Sequence, residues 1–356
     1  MAAYTTIDDP TVYFQVKLYT GNGTAIGSGG NSITFDGDTD LAPGMLWLKR
    51  RDSTSSHNVH DVVRGAQNRL YPDTTDAQDT SVTESVNAFT SDGFNLGNSG
   101  GGNASGGTYV AWCWKAGGAG SANSDGNTTT TKTSANTTSG FSIITYEGDG
   151  AAATLGHGLG AVPHVIFQKN IDDAENWQIY HHKNTSAPET DYFTFTTNGT
   201  GDQASRWNDT APTSTLITIG SDSSVSGSGE SMVIYAWSEK QGYSKFGGYT
   251  GNGNADGTFV YTGFRPAFII AKRGDADGYD WTMMDSKRSP FNRADDWLYP
   301  NMNSAEDTNG AVDFLSNGFK IRQTHSYWNT SGASYVYIAF AEAPFVNSNG
   351  VPCNAR

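Results

Sequence analysis

Three stretches of this chain repeat one another, and that periodicity constrains the fold more than any other feature. Tyr19–Gly23 and Tyr249–Gly253 both read YTGNG, and Tyr146–Gly150 reads YEGDG. A proline, an apolar run and a lysine follow each of them: Pro43–Lys49, Pro163–Lys169 and Pro266–Lys272. A closing apolar segment ends each copy: Tyr109–Trp114, Met232–Trp237 and Tyr335–Phe340. Between the second and third copies, Tyr146 to Tyr249, Pro163 to Pro266 and Ala236 to Ala339 share one offset of 103 residues. Between the first and second the offsets are 127, 120 and 123 at the matching landmarks, so loops were inserted or lost. A fixed period over a domain's length is the mark of a repeat architecture. A fourth landmark, Asp92–Gly97, matches Asn317–Arg322, with Ser214–Ile219 as the weaker second copy. Copies one and three also share Asp61–Gly65 against Asp285–Ser289, and an LYP triplet at Leu70 and at Leu298. Copy two carries neither and is the most diverged.

The landmarks read as strands. In Tyr109–Trp114, Tyr109, Ala111 and Cys113 face one way and Val110, Trp112 and Trp114 the other. Both sets are apolar, which places this strand mid-sheet with something packed on each face. Ala236 and Ala339 stand where Cys113 stands, so Cys113 is a small buried hydrophobe. The lysine at the end of each Pro-to-Lys run is expected where the strand meets water. Gly is 43 of 356 residues and aromatic residues are 12%, a mixture of turn formers and strand formers. The expected fold is all-β: three tandem β-sandwich domains, jelly-roll or concanavalin-like, from an internal repeat. The expected division is an N-terminal docking arm 1–13, repeats at 14–117, 140–241 and 242–346, a flexible linker 118–139 and a tail 347–356.

Composition excludes some partners. A formal charge of −14 argues against nucleic acid and against anionic lipid. No apolar span or basic-then-apolar leader is present, so no membrane insertion is expected. Two cysteines, Cys113 and Cys353, make no disulfide framework.

At this point the residues resemble a family. YTGNG, the Pro-to-Lys strand, Leu315–Arg322, Tyr335–Phe345 and the tail Val346–Arg356 are similar to β-rich repeat domains in structural proteins of marine bacteriophages, cyanophages among them. The resemblance spans nearly the whole chain. It implies a virion protein, tail fibre-like, with a lectin-like sandwich fold, assembled in the bacterial host cytoplasm. The expected role is a non-enzymatic tail fibre or receptor-binding component. The alternatives are a capsid decoration protein and, third, a carbohydrate-active enzyme on a concanavalin-like fold. Expected partners are other virion proteins through the N-terminal arm, further copies of the chain, and a host surface glycan or protein.

A search for chemistry returns little. Asp36, Asp38 and Asp40 begin like a calcium loop, but Leu41 and Trp47 occupy the positions that need Gly and Glu. Asp275–Gly278 is shorter still. His57, His60, His181 and His182 read as surface or turn histidines, not zinc ligands. Glu147 and Asp149 alternate as glycosidase carboxylates would, but within a Gly turn that holds Thr and Asn in the other copies. Asp61 with Arg64, and Asp285 with Arg288, read as turn braces. No cofactor or metal is expected. One loop stands out: Arg322–Gly332 adds His325, Tyr327 and Trp328 where copy one has only Gly, Ser and Asn. Aromatic residues in a polar loop stack on sugars or anchor proteins, and His325, Tyr327 and Trp328 are the candidate ligand-binding residues. The competing reading is that Trp328 closes the repeat's own core or an interdomain seam.

Overall fold

The structure, a computed structural model, describes residues 4–353. It is all-β, built from several antiparallel sheets, with three one-turn α-helices and two 3-10 turns. No helix among the described residues is long and apolar enough to cross a membrane.

Each repeat contributes one large sheet with a common strand order: opening, closing, Pro-to-Lys, fourth. In the first these are Phe14–Thr20, Thr108–Trp114, Met45–Arg50 and Asn58–Asp61, with Gly65–Leu70 added at the edge. In the second they are Phe141–Glu147, Ser231–Trp237, Val165–Asn170 and Gln178–His181. In the third they are Ser244–Thr250, Ser334–Pro344, Phe264–Arg273 and Thr282–Asp285. The closing strand is therefore central in all three, as its two apolar faces require. A small antiparallel sheet lies over one face of each large one. Gly93–Leu96, Leu216–Ile219 and Gly318–Ile321, the fourth landmark, are its strands. Pro43 and Pro163 precede their strands. Pro266 instead lies inside its strand, at a bulge where the register against the closing strand shifts on both sides. A bulge tolerates the missing N–H.

The two faces of each closing strand enter different cores. Ala111 and Cys113 pack under the first repeat's small sheet with Ile33, Leu46, Phe94 and Leu96. Ile234 and Ala236, and Tyr337 and Ala339, do the same in the second and third. Cys113 is buried and unbridged. The opposite face in every repeat enters one common cluster. Val110, Trp112 and Trp114 meet Val233, Tyr235 and Trp237, and Val336, Ile338 and Phe340. The Trp114 ring lies 6.2 Å from Trp237, 5.8 Å from Phe268 and 5.5 Å from Phe340, so rings of all three repeats touch. A void of about 10 Å3 with apolar walls lies between them. The partner that each sheet's second face needs is the other two repeats.

Two boundary expectations change accordingly. The flexible linker 118–139 is not free: Lys132–Asn136 pairs with Phe141–Thr145 and widens the second sheet. The strand is polar apart from Ala135 and only Ser134 is fully buried, so it serves as a half-exposed edge strand, which polar composition alone reads as linker. The docking arm is likewise engaged where it is described. Tyr4 Oη donates to the Gly263 carbonyl (2.7 Å), Thr5 Oγ1 to Gln241 (2.7 Å), and Ile7 is buried. The part of the arm at Met1–Ala3 lies outside the described residues. The tail returns to the arm, with Ser348 N and Oγ donating to the Asp8 carboxylate (2.6 and 2.5 Å).

The geometry also explains the YTGNG fragment. Its tyrosine donates to a carbonyl of the loop before the closing strand: Tyr19 to Gly102 (2.8 Å), Tyr146 to Val225 (2.6 Å), Tyr249 to Trp328 (3.0 Å). Its asparagine exchanges two hydrogen bonds with an asparagine of that loop, Asn22 with Asn103 and Asn252 with Asn329. A Cβ on the first glycine would lie 2.2 Å from the Ala104 oxygen at Gly21, or 2.2 Å from the Thr330 oxygen at Gly251. The last glycine has φ near +68° at both Gly23 and Gly253. One glycine permits close approach and the other a left-handed turn. Gly251→Ala is therefore expected to lower unfolding free energy by about 1–3 kcal/mol, read by denaturant melting. A change within about 0.5 kcal/mol, typical of a neutral surface site, would contradict the packing.

Candidate functional site

The three repeats are joined by seams that repeat around a ring. His57, Trp177 and Trp281 occupy the same position, just before the fourth strand. Trp177 Nε1 donates to the Tyr71 carbonyl (2.9 Å), joining repeat two to one. Trp281 Nε1 donates to Thr194 (2.8 Å), joining three to two. His57 Nε2 bonds the Tyr299 carbonyl (2.9 Å), joining one to three. Trp47 Nε1 can only donate, and it donates to His57 Nδ1 (2.9 Å), so the His57 proton is on Nε2. Tyr71, Thr194 and Tyr299 are themselves equivalent, each following a residue bridged to its fourth strand. One head-to-tail contact made three times closes the ring.

A second seam lies at the end of the fourth strand. The turn braces are present: Arg64 Nε meets Asp61 Oδ2 and Arg288 Nε meets Asp285 Oδ2, each at 2.6 Å. They are fully buried, not surface pairs, and each carboxylate also serves a neighbouring repeat. Tyr235 Oη donates to Asp61 (2.6 Å), and Trp112 Nε1 donates to Asp285 (3.1 Å). Copy two places His181 and Asn184 where the others have Asp and Arg. His181 Nδ1 accepts from the Lys183 amide (3.1 Å), as the aspartates accept from theirs. The position equivalent to Tyr235 and Trp112 on the adjoining repeat is Ile338, whose side chain has no donor. His181 Nε2 bonds the Tyr337 carbonyl instead (3.1 Å). The divergence of copy two is thus matched on the adjoining repeat.

The reading of the histidines as surface or turn groups fails for His57, His60 and His181, which are wholly buried. At His57 and His181 an N–H donor points at the ring nitrogen where a second proton would go, and His60 Nε2 has no partner to receive one. Burial lowers His60 and His181 to about 3 and holds His57 well below its ordinary value. In the unfolded chain these groups titrate near 6.5, so the unfolded state binds more protons below that pH. Their contribution is complete above about pH 7 and is lost as pH falls towards 3. At pH 5 each is expected to remove about 2 kcal/mol of stability relative to pH 7. Urea titrations at the two pH values check this; equal midpoints would refute it.

The lysines also depart from expectation. Lys49, Lys169 and Lys272 do not meet water but are fully buried. Lys49 Nζ donates to the Arg50 carbonyl (2.7 Å), Lys169 to Asn170 and Asp173 (2.5 and 3.0 Å), and Lys272 to Tyr279. Burial lowers all three to about 8. They brace the loops that follow the Pro-to-Lys strands.

Loops from all three repeats converge at one pole of the ring on a cavity of about 470 Å3. Every repeat contributes: Asp73 and Thr74 from the first, Trp177 and Phe195 from the second, Asp280 and Asn301 from the third. The position after each LYP triplet supplies Asp73 and Asn301. Asp73 Oδ1 accepts from the His57 amide (2.9 Å), and burial raises this carboxyl above its ordinary value. Asn301 Nδ2 donates to Asp280 Oδ1 (2.7 Å). Hydroxyls, amides and carboxylates form the rim over a partly aromatic floor.

The three residues singled out by sequence separate here. Trp328 is fully buried in the third repeat's core, so its ring is closed to a ligand. This is the competing reading of that residue. His325 is exposed and packs beside Tyr327 (4.6 Å) and Trp297 (5.4 Å). Tyr327 supports the polar cavity from behind, donating to Asp280 Oδ2 (2.9 Å). The cavity residues themselves were missed. Their signal was the LYP triplet shared by copies one and three, which marks the loop tips. Asp36, Asp38 and Asp40 are exposed, and Asp36 pairs with Lys17. Among the described residues no three His, Cys, Asp or Glu side chains gather as a metal site.

These observations define an all-β repeat protein with internal three-fold organisation and a polar cavity where three loop tips meet. Residues 9–344 match a family described as a domain of unknown function, DUF7483, and the chain belongs to that family. No curated protein matches it.

Proposed function

We propose that this chain is a non-enzymatic structural protein of a bacteriophage particle, a tail-fibre or receptor-binding component that contacts the host surface. On this reading each repeat is one β-sandwich domain, and the three act as a unit. The observation that carries the proposal is the closure of three repeats around one aromatic core. It makes a rigid support on which loops from all three repeats meet at one pole, and rigid scaffolds carrying loops are how recognition surfaces are built. The resemblance of YTGNG, the Pro-to-Lys strand and the tail to phage structural repeats supplies the particle context. The protein would be assembled in the host cytoplasm and carried in the virion, in contact with other virion proteins and with further copies of itself.

Immunogold labelling and quantitative mass spectrometry of purified particles test this. Label on the tail at low copy number is the expected result. Label over the head at lattice copy number would favour the decoration role, and absence from particles would overturn both. Release of reducing sugar from host polysaccharide, abolished by one carboxylate substitution, would move the chain to the enzyme class.

A further inference from the structure

The polar cavity does not end at the ring's pole. Asn176 and Thr196 line it, and both also line a second cavity of about 300 Å3 that runs over the second repeat. The two cavities therefore adjoin along Asn176 and Thr196, as two compartments of one surface. The first compartment has an apolar floor of Trp177, Phe195 and Met302 beneath a rim of Asp73, Thr197 and Asn301. The second is more polar and holds Gln178, Tyr192, Thr200 and Arg206. Gln178 is buried, and its Oε1 has no hydrogen-bond partner. A buried acceptor without a donor is costly, and a ligand hydroxyl would satisfy it. The Arg206 guanidinium lies over the Tyr192 ring (5.1 Å) and is held by Asp222 and Ser224 through a terminal nitrogen, with its Nε unpaired.

We propose that this surface binds a neutral oligosaccharide, a chain of linked pyranoses. Three properties select that class. An apolar floor under a hydroxyl- and amide-rich rim matches a pyranose, with apolar C–H faces and hydroxyl edges. Asp73, Asp280, Glu175 and Asp277 on the walls repel phosphates, sulfates and uronic acids, while accepting from neutral hydroxyls. Acidic walls would also favour a polyamine, which is the competing ligand in the test, because the Arg206 charge is already paired with Asp222. Each compartment has the volume of a small-ligand pocket, and their adjacency through Asn176 and Thr196 selects a chain over a single sugar. The inference deepens the attachment reading and rests on it only for the source of the sugar, a host surface polysaccharide.

The test is isothermal titration calorimetry of the full chain with maltotriose, cellotriose and chitotriose, with glucose and spermidine as comparisons. At least one trisaccharide is expected to bind, about tenfold or more tighter than glucose. Asn176→Ala removes an exposed side chain common to both compartments and should weaken it about tenfold, the effect of one hydrogen bond to a bound ligand. Thr197→Trp, at an exposed position, should fill the first compartment and abolish binding. Thermal melting confirms that both variants remain folded. Absence of binding by every trisaccharide, binding unchanged in both variants, or binding of spermidine alone would overturn the proposal. A chain located on particle tails that binds no sugar defeats this inference and leaves the attachment role standing. A chain that binds sugar but is absent from particles does the reverse.

Discussion

Replacing Arg288 with methionine is expected to lower the unfolding free energy by about 3–5 kcal/mol, the cost of leaving a buried carboxylate without its partner. Arg288 holds two acids: Asp285 through Nε (2.6 Å) and Glu306 through one terminal nitrogen (3.0 Å). Another terminal nitrogen donates to the Met283 carbonyl (3.1 Å), so all three guanidinium nitrogens are engaged. No water replaces these bonds, because both side chains of the Asp285 pair are wholly buried. Arg64→Met should cost somewhat less, since Arg64 pairs with one carboxylate, Asp61, and otherwise bonds the neutral Gln78 and Tyr235. Urea melts of both variants measure this. A loss below about 1 kcal/mol, the range for exposed pairs, would show that water reaches these turns.

Trp114→Ala is the second large effect, about 3–5 kcal/mol. The ring contacts Phe14 (4.9 Å) within its own sheet, Trp237 in the second repeat and Phe268 and Phe340 in the third. Differential scanning calorimetry should show one transition for the parent chain and one lowered transition for the variant. The reason is that no repeat can expose its inner sheet face while the others stay folded. Independent tandem domains would give several transitions, of which the substitution moves one. That result would break the shared core.

Much of the fold was legible because strand burial is written in alternation. Both faces of Tyr109–Trp114 are apolar, and it lies mid-sheet with two cores against it. Cys113, Ala236 and Ala339 mark a slot that takes only a small side chain. YTGNG was legible as a turn, since Gly23 and Gly253 need a left-handed backbone. The lysines were misjudged, because a residue at a strand's end is usually solvated. Lys49, Lys169 and Lys272 are instead roofed by loops from their own and neighbouring repeats. Residues 118–139 were misjudged because a half-exposed edge strand and a linker share a polar composition.

The candidate site divides the same way. Tyr327 was singled out by its loop and does hold Asp280, while Trp328 filled a core that only coordinates reveal. Sequence by itself determined three copies of one set of strand landmarks, the turn glycines and the small central slot, because these are written in residues a few positions apart. Tertiary structure alone decided that the inner faces meet one another, that His181 bonds the Tyr337 carbonyl, and that Asp73, Trp177 and Asn301 line one cavity. Those contacts join residues about 100 positions or more apart, and they are set by how three twisted sheets close around a ring.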